Sequence, residues 1–143
     1  MKITYKTATL DDLEAMIKVG DTLFDYPIKP ERAQEFLSDP RHHLLLAYHE
    51  NTIVGMASGL HYVHPDKDPQ LFINEASVVE SYQNKGIGRA LIQQLCEYGK
   101  NLGCKEAWVA TEKSNLPAQR AYLAANGIQD IEEIVLFEFN LKE

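Results

Sequence analysis

The chain has 143 residues, 45% of them apolar and 24% charged, which is the balance of one folded globular domain and excludes a disordered or fibrous chain. Its 21 acidic and 14 basic side chains give a net charge of −7, which argues against nucleic acid as a partner and favours a cationic one, although solubility alone would also account for it. No apolar run approaches the roughly 18–20 residues of a membrane helix, and the first residues lead into a strand pattern instead of a signal peptide, so we expect a cytoplasmic protein with no membrane partner.

Hydrophobic periodicity and turn residues divide the chain into alternating strands and helices. The predicted elements, in chain order, are a strand at 2–8, a helix after a capping box at 9–12, a helix from Pro30 until Asp39-Pro40, strands at 43–49, 52–63 and 71–79, a helix at 86–102, a strand at 105–111, a helix at 115–126 and one or two strands within 128–141. Prolines and acidic residues predict a loop at 64–70. This order predicts a single α+β domain over residues 1–143, with helices packed on a mixed sheet.

The cysteines and histidines do not predict a metal site. Cys96 and Cys104 are the only two cysteines, and their spacing matches no zinc or redox motif. The five histidines are scattered over 42–64 without His-x-x-x-His spacing. We therefore expect two reduced thiols and no bound metal.

A glycine-rich turn at the start of the predicted helix 86–102 is the clearest local signal in the sequence. A helix N-terminus leaves main-chain N–H groups unpaired and carries the positive end of the helix dipole. Gly86 and Gly88 remove the Cβ atoms that would keep a phosphate away from these N–H groups, and Lys85 and Arg89 add positive charge in an otherwise acidic chain. This pattern predicts an anion site, although a Gly-x-Gly by itself fits a tight strand-to-helix turn equally well.

Two better-known phosphate loops do not fit this turn. A Walker loop needs Gly-x-x-x-x-Gly-Lys-Ser/Thr, which is absent, and the dinucleotide fingerprint needs Gly or Ala where Leu91 stands. The stretch 83–88, which follows the strand INEASVV, instead resembles the Gln/Arg-x-x-Gly-x-Gly/Ala motif of the GNAT superfamily of N-acetyltransferases. The segment 115–127 is similar to that family's Asn-x-x-Ala-x-x-x-Tyr-x-x-x-Gly-Phe pattern. The departures are Glu80, Gln83 and Ile128, where relatives more often carry Pro, Arg and Phe.

The resemblance implies a fold and a donor substrate. GNAT proteins have a mixed, mostly antiparallel central sheet flanked by helices, and they hold the pyrophosphate of acetyl-coenzyme A at this turn. By resemblance, Asn115 would hydrogen-bond the pantetheine arm, the Val78 N–H would meet the oxyanion, and a splayed gap between the strands at 71–79 and 105–111 would admit the arm. The turn residues that would bind the cofactor are Gln83, Asn84, Lys85, Gly86, Ile87, Gly88 and Arg89.

Two side chains are candidates for the proton transfers that acetylation of an amine requires. Glu75 lies inside an apolar strand, where desolvation would raise its pKa toward neutrality, and relatives often use a Glu at the matching position as general base. Tyr122 lies two helical turns after Asn115 on one face, and by resemblance it would protonate the thiolate of coenzyme A. The alternatives are a solvent-facing Glu75 and a Tyr122 that only packs on its helix.

The expected function is transfer of an acetyl group from acetyl-coenzyme A directly to a primary amine of a small cationic molecule. A weaker similarity of the strand LFINEASVV and of the C-terminal tail to aminoglycoside 3-N-acetyltransferases points to aminoglycosides, and with them to antibiotic resistance. A protein lysine or N-terminus as acceptor, or a non-catalytic acyl-coenzyme A binding module, stays open. Strand-like edges near the C-terminus also lead us to expect a homodimer.

Overall fold

The computed structural model describes residues 1–130, 132 and 134–142. Short 3₁₀ turns precede and follow the first helix and follow the fourth strand. The remaining elements, in chain order, are β1 (Ile3–Thr7), α1 (Leu13–Val19), α2 (Pro30–Ser38), β2 (His42–His49), β3 (Thr52–His64), β4 (Lys67–Val78), α3 (Ile87–Asn101), β5 (Glu106–Trp108) and α4 (Leu116–Ala124).

The strands form one sheet in the order β1-β2-β3-β4-β5. The first three pairings are antiparallel, and β5 joins β4 in parallel after the crossover through α3. One core cluster packs α3 on one face of the sheet, and a second packs α1 and α2 on the other face. The predicted α+β fold with a mixed, mostly antiparallel sheet flanked by helices is confirmed.

The capping box predicted at 9–12 forms as expected and anchors the first helical layer to the sheet. The Thr9 side chain accepts from the Asp11 N–H, and Asp12 Oδ2 accepts from the Thr9 N–H at 2.8 Å. The buried Asp12 carboxylate also accepts from the Tyr48 hydroxyl at 2.6 Å and pairs with Lys6 at 2.9 Å. Burial alone would raise the pKa of Asp12, but the hydrogen bonds from Tyr48, Lys6 and Thr9 outweigh it and hold the pKa below its usual value.

Two predicted boundaries are wrong. The stretch 64–70 is not a loop, because β4 already begins at Lys67 and pairs with β3 from there, with Lys67 opposite His64 and Gln70 opposite Tyr62. The predicted strand at 105–111 is reduced to three residues, since only Gln70 to Phe72 of β4 pair with it.

The strands predicted within 128–141 do not form among the described residues of that segment. Residues 128–130, 132 and 134–142 are described, and none of them lies in a strand. Ile131 and Glu133 fall outside the described residues. A strand needs a neighbour to satisfy its main-chain groups, and this segment has none among the described residues. In the described part of the chain, none of the helices has the length and apolar character needed to cross a membrane.

Candidate active site

A β-bulge in β4 determines where Glu75 points. Ser58 lies opposite Glu75 whereas Gly59 lies opposite Ile73, so Asn74 is an extra residue in β4. Side chains alternate between the two faces of a strand, and Ile73 packs into the cluster on the α3 side. The extra residue therefore turns Glu75 to the opposite face, toward α1 and α2.

Gly59 lets the two strands approach at this bulge. A Cβ added at Gly59 would lie 2.6 Å from the main-chain carbonyl oxygen of Phe72, a distance that real Cβ atoms do not adopt. The sequence predicted neither the bulge nor the importance of Gly59, because an isolated Gly in a strand pattern has several explanations.

We expect Gly59→Ala to lower the free energy of unfolding by about 1–3 kcal/mol, since main chain must move to accept the new methyl group. The movement would also displace Glu75, so catalytic turnover is expected to fall beyond what the lost stability explains. Thermal unfolding and steady-state rates on the folded variant measure the two effects. Val63→Ala, which changes an exposed residue of the same strand, is the matched control; an equal loss in both variants would contradict the role of the bulge.

Glu75 meets a second carboxyl group, that of Asp25 in the connection between α1 and α2. Burial, and after it the hydrogen bond and negative charge of Asp25, together raise the pKa of Glu75 to about 7. A negative charge beside Glu75 favours the protonated form of its carboxyl group. Sequence reasoning missed Asp25, which carries no local motif and reaches Glu75 only through the fold.

A cleft opens along β4 beyond its short pairing with β5. The two strands pair only from Gln70 to Phe72, so residues 73–78 of β4 lack a neighbour on that side within the described part of the chain. The Val79 N–H donates to the Val54 carbonyl oxygen at 2.8 Å, and hydrogen-bonded and non-bonded pairs alternate along an antiparallel ladder. Val78, opposite Gly55, therefore points its N–H away from β3 and into this cleft.

The glycine-rich turn lies directly after this strand and presents unpaired donors. Gly86 has a φ of 81° and Asn84 a φ of 63°, left-handed conformations that glycine and asparagine adopt most readily. None of the six main-chain N–H groups from 84 to 89 donates to an acceptor within the described residues. The side chains of Lys85 and Arg89 are exposed beside them, so the turn combines free N–H donors, a helix N-terminus and two positive charges.

Two contacts connect this turn to the walls of the cleft. Gln83 Nε2 donates to the Val78 carbonyl oxygen at 2.9 Å, so this side chain ties the turn to the end of β4. A Cβ added at Gly88 would lie 3.8 Å from Val78 and 3.9 Å from Ala121 of α4, ordinary contact distances. Packing within the chain therefore does not require glycine at position 88, and its missing side chain leaves a gap between β4 and α4.

The helix α4 carries the remaining predicted site residues. Asn115 caps it, because its Oδ1 accepts from the Ala118 N–H at 3.2 Å. Tyr122 is half-buried against the α3-side cluster, and burial, assisted by the charge of Glu112, raises the pKa of its phenol. Gly127 closes the helix with an N–H that donates to the Tyr122 carbonyl oxygen at 2.9 Å, at an approach that leaves no room for a Cβ.

A residue that sequence reasoning missed holds the loop before this helix. Gln119 Nε2 donates to the carbonyl oxygens of Lys113 at 2.7 Å and of Glu112 and Asn115 at 3.3 Å. In the described residues, no three His, Cys, Asp or Glu side chains are grouped closely enough to hold a metal ion.

A donor-rich turn, a strand with an open edge and a partly buried carboxyl group with a raised pKa are features of an acyltransferase site. Comparison with known proteins identifies the family. The model of the acetyltransferase (GNAT) family matches residues 10–128. The chain belongs to the GNAT family.

Individual relatives match this chain at low sequence identity. An uncharacterized N-acetyltransferase of Mycobacterium tuberculosis is 29% identical over 98 residues, which cover 68% of this chain and 60% of that protein. This chain thus spans about 60% of the length of that relative.

Solved structures agree in fold over nearly the whole chain. An aminoglycoside acetyltransferase from an uncultured soil metagenomic sample, in complex with sisomicin, superposes with a TM-score of 0.85 at 22% identity over 98% of this chain and 97% of its own. The aminoglycoside N-acetyltransferase AAC(6′)-Iy in complex with coenzyme A gives a TM-score of 0.79 at 19% identity over 96% and 95%. At these identities the similarity establishes the fold alone.

Proposed function

We propose that this protein transfers the acetyl group of acetyl-coenzyme A directly to a primary amine of a small cationic molecule, with aminoglycosides as the first class to test. The observation that carries the proposal is the run of N–H groups at 84–89 that donate to no acceptor within the described residues, in the turn that follows β4, the strand that also holds the raised-pKa carboxyl of Glu75. Family membership and the aminoglycoside acetyltransferases among the structural neighbours support the same activity.

In this proposal the turn binds the pyrophosphate of acetyl-coenzyme A. The main-chain N–H groups of 84–89 donate to its oxygens, with Lys85 and Arg89 as exposed counter-charges. The pantetheine arm follows the open edge of β4, and the Asn115 amide group faces it at the start of α4. Gln83 acts through its hydrogen bond to Val78 by fixing the turn against the strand.

The chemistry needs two protons removed from the substrate nitrogen and one supplied to the leaving sulfur. A carboxylate at Glu75 accepts a proton from the substrate ammonium, and Asp25 beside it adds a second negative charge that attracts the cation. The free amine attacks the thioester carbonyl carbon, a C–N bond forms, and the Val78 N–H donates to the developing oxyanion. The C–S bond then breaks as the Tyr122 hydroxyl protonates the leaving thiolate, and the second nitrogen proton returns to the Tyr122 phenolate by way of solvent.

Direct transfer, without an acetylated cysteine, fits the two thiols of this chain. Burial raises the pKa of both Cys96 and Cys104, which disfavours the reactive thiolate. Cys104 is also buried in the α3-side cluster, away from solvent.

The test is thiol release from acetyl-coenzyme A, followed with a thiol reagent, while aminoglycosides, polyamines and lysine-containing peptides are offered in turn. We expect turnover with cationic small amines and slow or no turnover with peptides. Turnover with peptides alone would show that the acceptor is an amine of a protein and not of a small molecule. Tight binding of acetyl-coenzyme A with no transfer to any amine would make the protein a binding module.

Replacement of Gly88 by Val tests where the donor substrate lies. The new side chain would fill the gap between Val78 and Ala121. We therefore expect the affinity for acetyl-coenzyme A to fall by roughly 10- to 100-fold, which corresponds to the free-energy cost of overpacking, about 1–3 kcal/mol. Isothermal titration calorimetry measures the affinity. Gln93→Val puts the same branched side chain on an exposed position of α3, and this variant should bind acetyl-coenzyme A with normal affinity. If both variants bound acetyl-coenzyme A equally well, the donor substrate would not pass through the gap at Gly88.

A further inference from the structure

Three aromatic side chains and one amide group form a connected cluster where β4 meets β5. The Trp108 Nε1 donates to the Tyr62 hydroxyl at 2.9 Å, and that hydroxyl donates to Gln70 Oε1 at 2.7 Å. The ring centroids of Phe72 and Trp108 lie 4.5 Å apart. These four residues, which we call the aromatic platform, therefore hold one another in fixed orientations.

The aromatic platform lies on the same face of the sheet as Glu75. Leu71 packs into the α3-side cluster, so its neighbours Gln70 and Phe72 point to the α1 and α2 side. The bulge in β4 turns Glu75 to that side as well. Phe72 precedes Glu75 by three residues of extended strand, which span roughly 10 Å. The platform and the candidate base therefore lie side by side along one face of β4.

Packing within the chain does not account for this cluster. In the described residues, neither of the two core clusters includes Tyr62, Phe72 or Trp108. Trp108, which is the only tryptophan in the sequence, remains 49% exposed. A tryptophan gains most from burial when its ring is fully covered. An ordered aromatic surface that stays open beside a candidate base is a feature of a ligand site.

The charges on this face favour a cationic ligand. Glu106 is opposite Gln70 in the pairing of β4 with β5 and is exposed, and Asp25 lies beside Glu75 at the other end. Cations are attracted both to these carboxylates and to the face of a tryptophan ring. A sugar ring adds an apolar C–H face that stacks on an aromatic ring and hydroxyl groups that hydrogen-bond to amide and hydroxyl groups. An amino sugar combines the cation, the apolar face and the hydroxyl groups.

We propose that the aromatic platform binds one ring of an amino sugar acceptor, while the amine of a linked ring reaches Glu75. The inference rests on the proposed acetyl transfer, in which Glu75 receives a proton from that amine. It narrows the acceptor from small cationic amines in general to amino sugars of at least two rings. A linear polyamine has charges for the carboxylates but no ring to stack on Trp108, which makes Trp108 a specificity-determining residue.

The first experiment uses the fluorescence of the unaltered protein, because its only tryptophan lies in the platform. The protein is titrated without acetyl-coenzyme A, once with the aminoglycoside kanamycin and once with the linear polyamine spermidine at equal ionic strength. We expect a saturable change in tryptophan emission with kanamycin and a much smaller change with spermidine. An emission that kanamycin leaves unchanged, or that both compounds change equally, would overturn the proposal.

The second experiment measures thiol release from acetyl-coenzyme A with the same two acceptors. In Trp108→Ala we expect kcat/KM for kanamycin to fall roughly tenfold more than kcat/KM for spermidine, and Trp108→Phe should recover part of the loss because it restores a ring. Leu102→Ala removes an apolar side chain that is 40% exposed just after α3, and it should keep the ratio of the unaltered enzyme.

The two experiments separate this inference from the proposed activity. If Trp108→Ala lost the same factor for both acceptors, Trp108 would have only a structural role and the inference would be wrong, although the acetyl transfer would stand. If no amine were acetylated while kanamycin still changed the emission, the acetyl transfer would be wrong and the amino sugar site would stand.

Discussion

Glu75→Gln is expected to lower kcat by a factor of about 10²–10⁴ while leaving the affinity for acetyl-coenzyme A nearly unchanged. The amide keeps the size and polarity of the side chain but cannot accept a proton from the substrate ammonium. The turn at 84–89, where we propose that the pyrophosphate binds, lies on a different element and does not include this residue. Initial rates at saturating donor, together with calorimetric titration of acetyl-coenzyme A, separate the two effects.

The pH dependence of the catalytic rate tests the role of Glu75 and its neighbour Asp25 more sharply. The pKa of Glu75 is raised to about 7, so the carboxylate that accepts the proton forms only as the pH rises through that value. The rate of the unaltered enzyme should therefore rise between about pH 6 and 8, and the deficit of Glu75→Gln should be largest above pH 7. Asp25→Asn removes the negative charge that helps to keep this pKa high, so its profile should rise at lower pH.

The exposed carboxyl of Glu80, five residues further along the chain, provides the control. Glu80→Gln removes one negative charge near the turn without touching the pair, and we expect it to keep both rate and pH profile. If Glu75→Gln and Glu80→Gln lost activity equally, or if the unaltered enzyme showed no rise near pH 7, Glu75 would not be the base.

Local chemistry made much of this site predictable from the sequence. The capping box at Thr9 to Asp12 and the left-handed Gly86 depend on a few neighbouring residues and form as expected. The same holds for Gly127, whose N–H closes α4. The hydrogen bonds of such patterns join residues that are close in sequence, so the patterns can be recognised without knowledge of the fold.

Features that depend on distant partners could not be predicted. Asn74 becomes a bulge only because Gly59, far earlier in the chain, can approach Phe72 without a side chain. Asp25 reaches Glu75 because α1 and α2 pack on the sheet, a contact with no sequence signature. The alternation at 135–141 predicted a strand that does not form among the described residues, because a strand also requires an edge to pair with, and periodicity alone does not supply one.

Tyr122→Phe is expected to lower kcat by a factor of about 10²–10⁴ with little change in donor affinity, because it removes only the hydroxyl that we propose protonates the leaving thiolate. Burial and the charge of Glu112 keep the pKa of this phenol above its usual value, so the hydroxyl carries its proton throughout the neutral range. Tyr98→Phe, which alters a tyrosine of α3 that packs on His43, should retain full activity. A non-catalytic module would lose nothing measurable in Tyr122→Phe except stability. Parallel losses of rate and of calorimetric affinity would instead make Tyr122 a wall of the donor cleft, because a group that acts only on the departing sulfur has no means of weakening the ground-state complex.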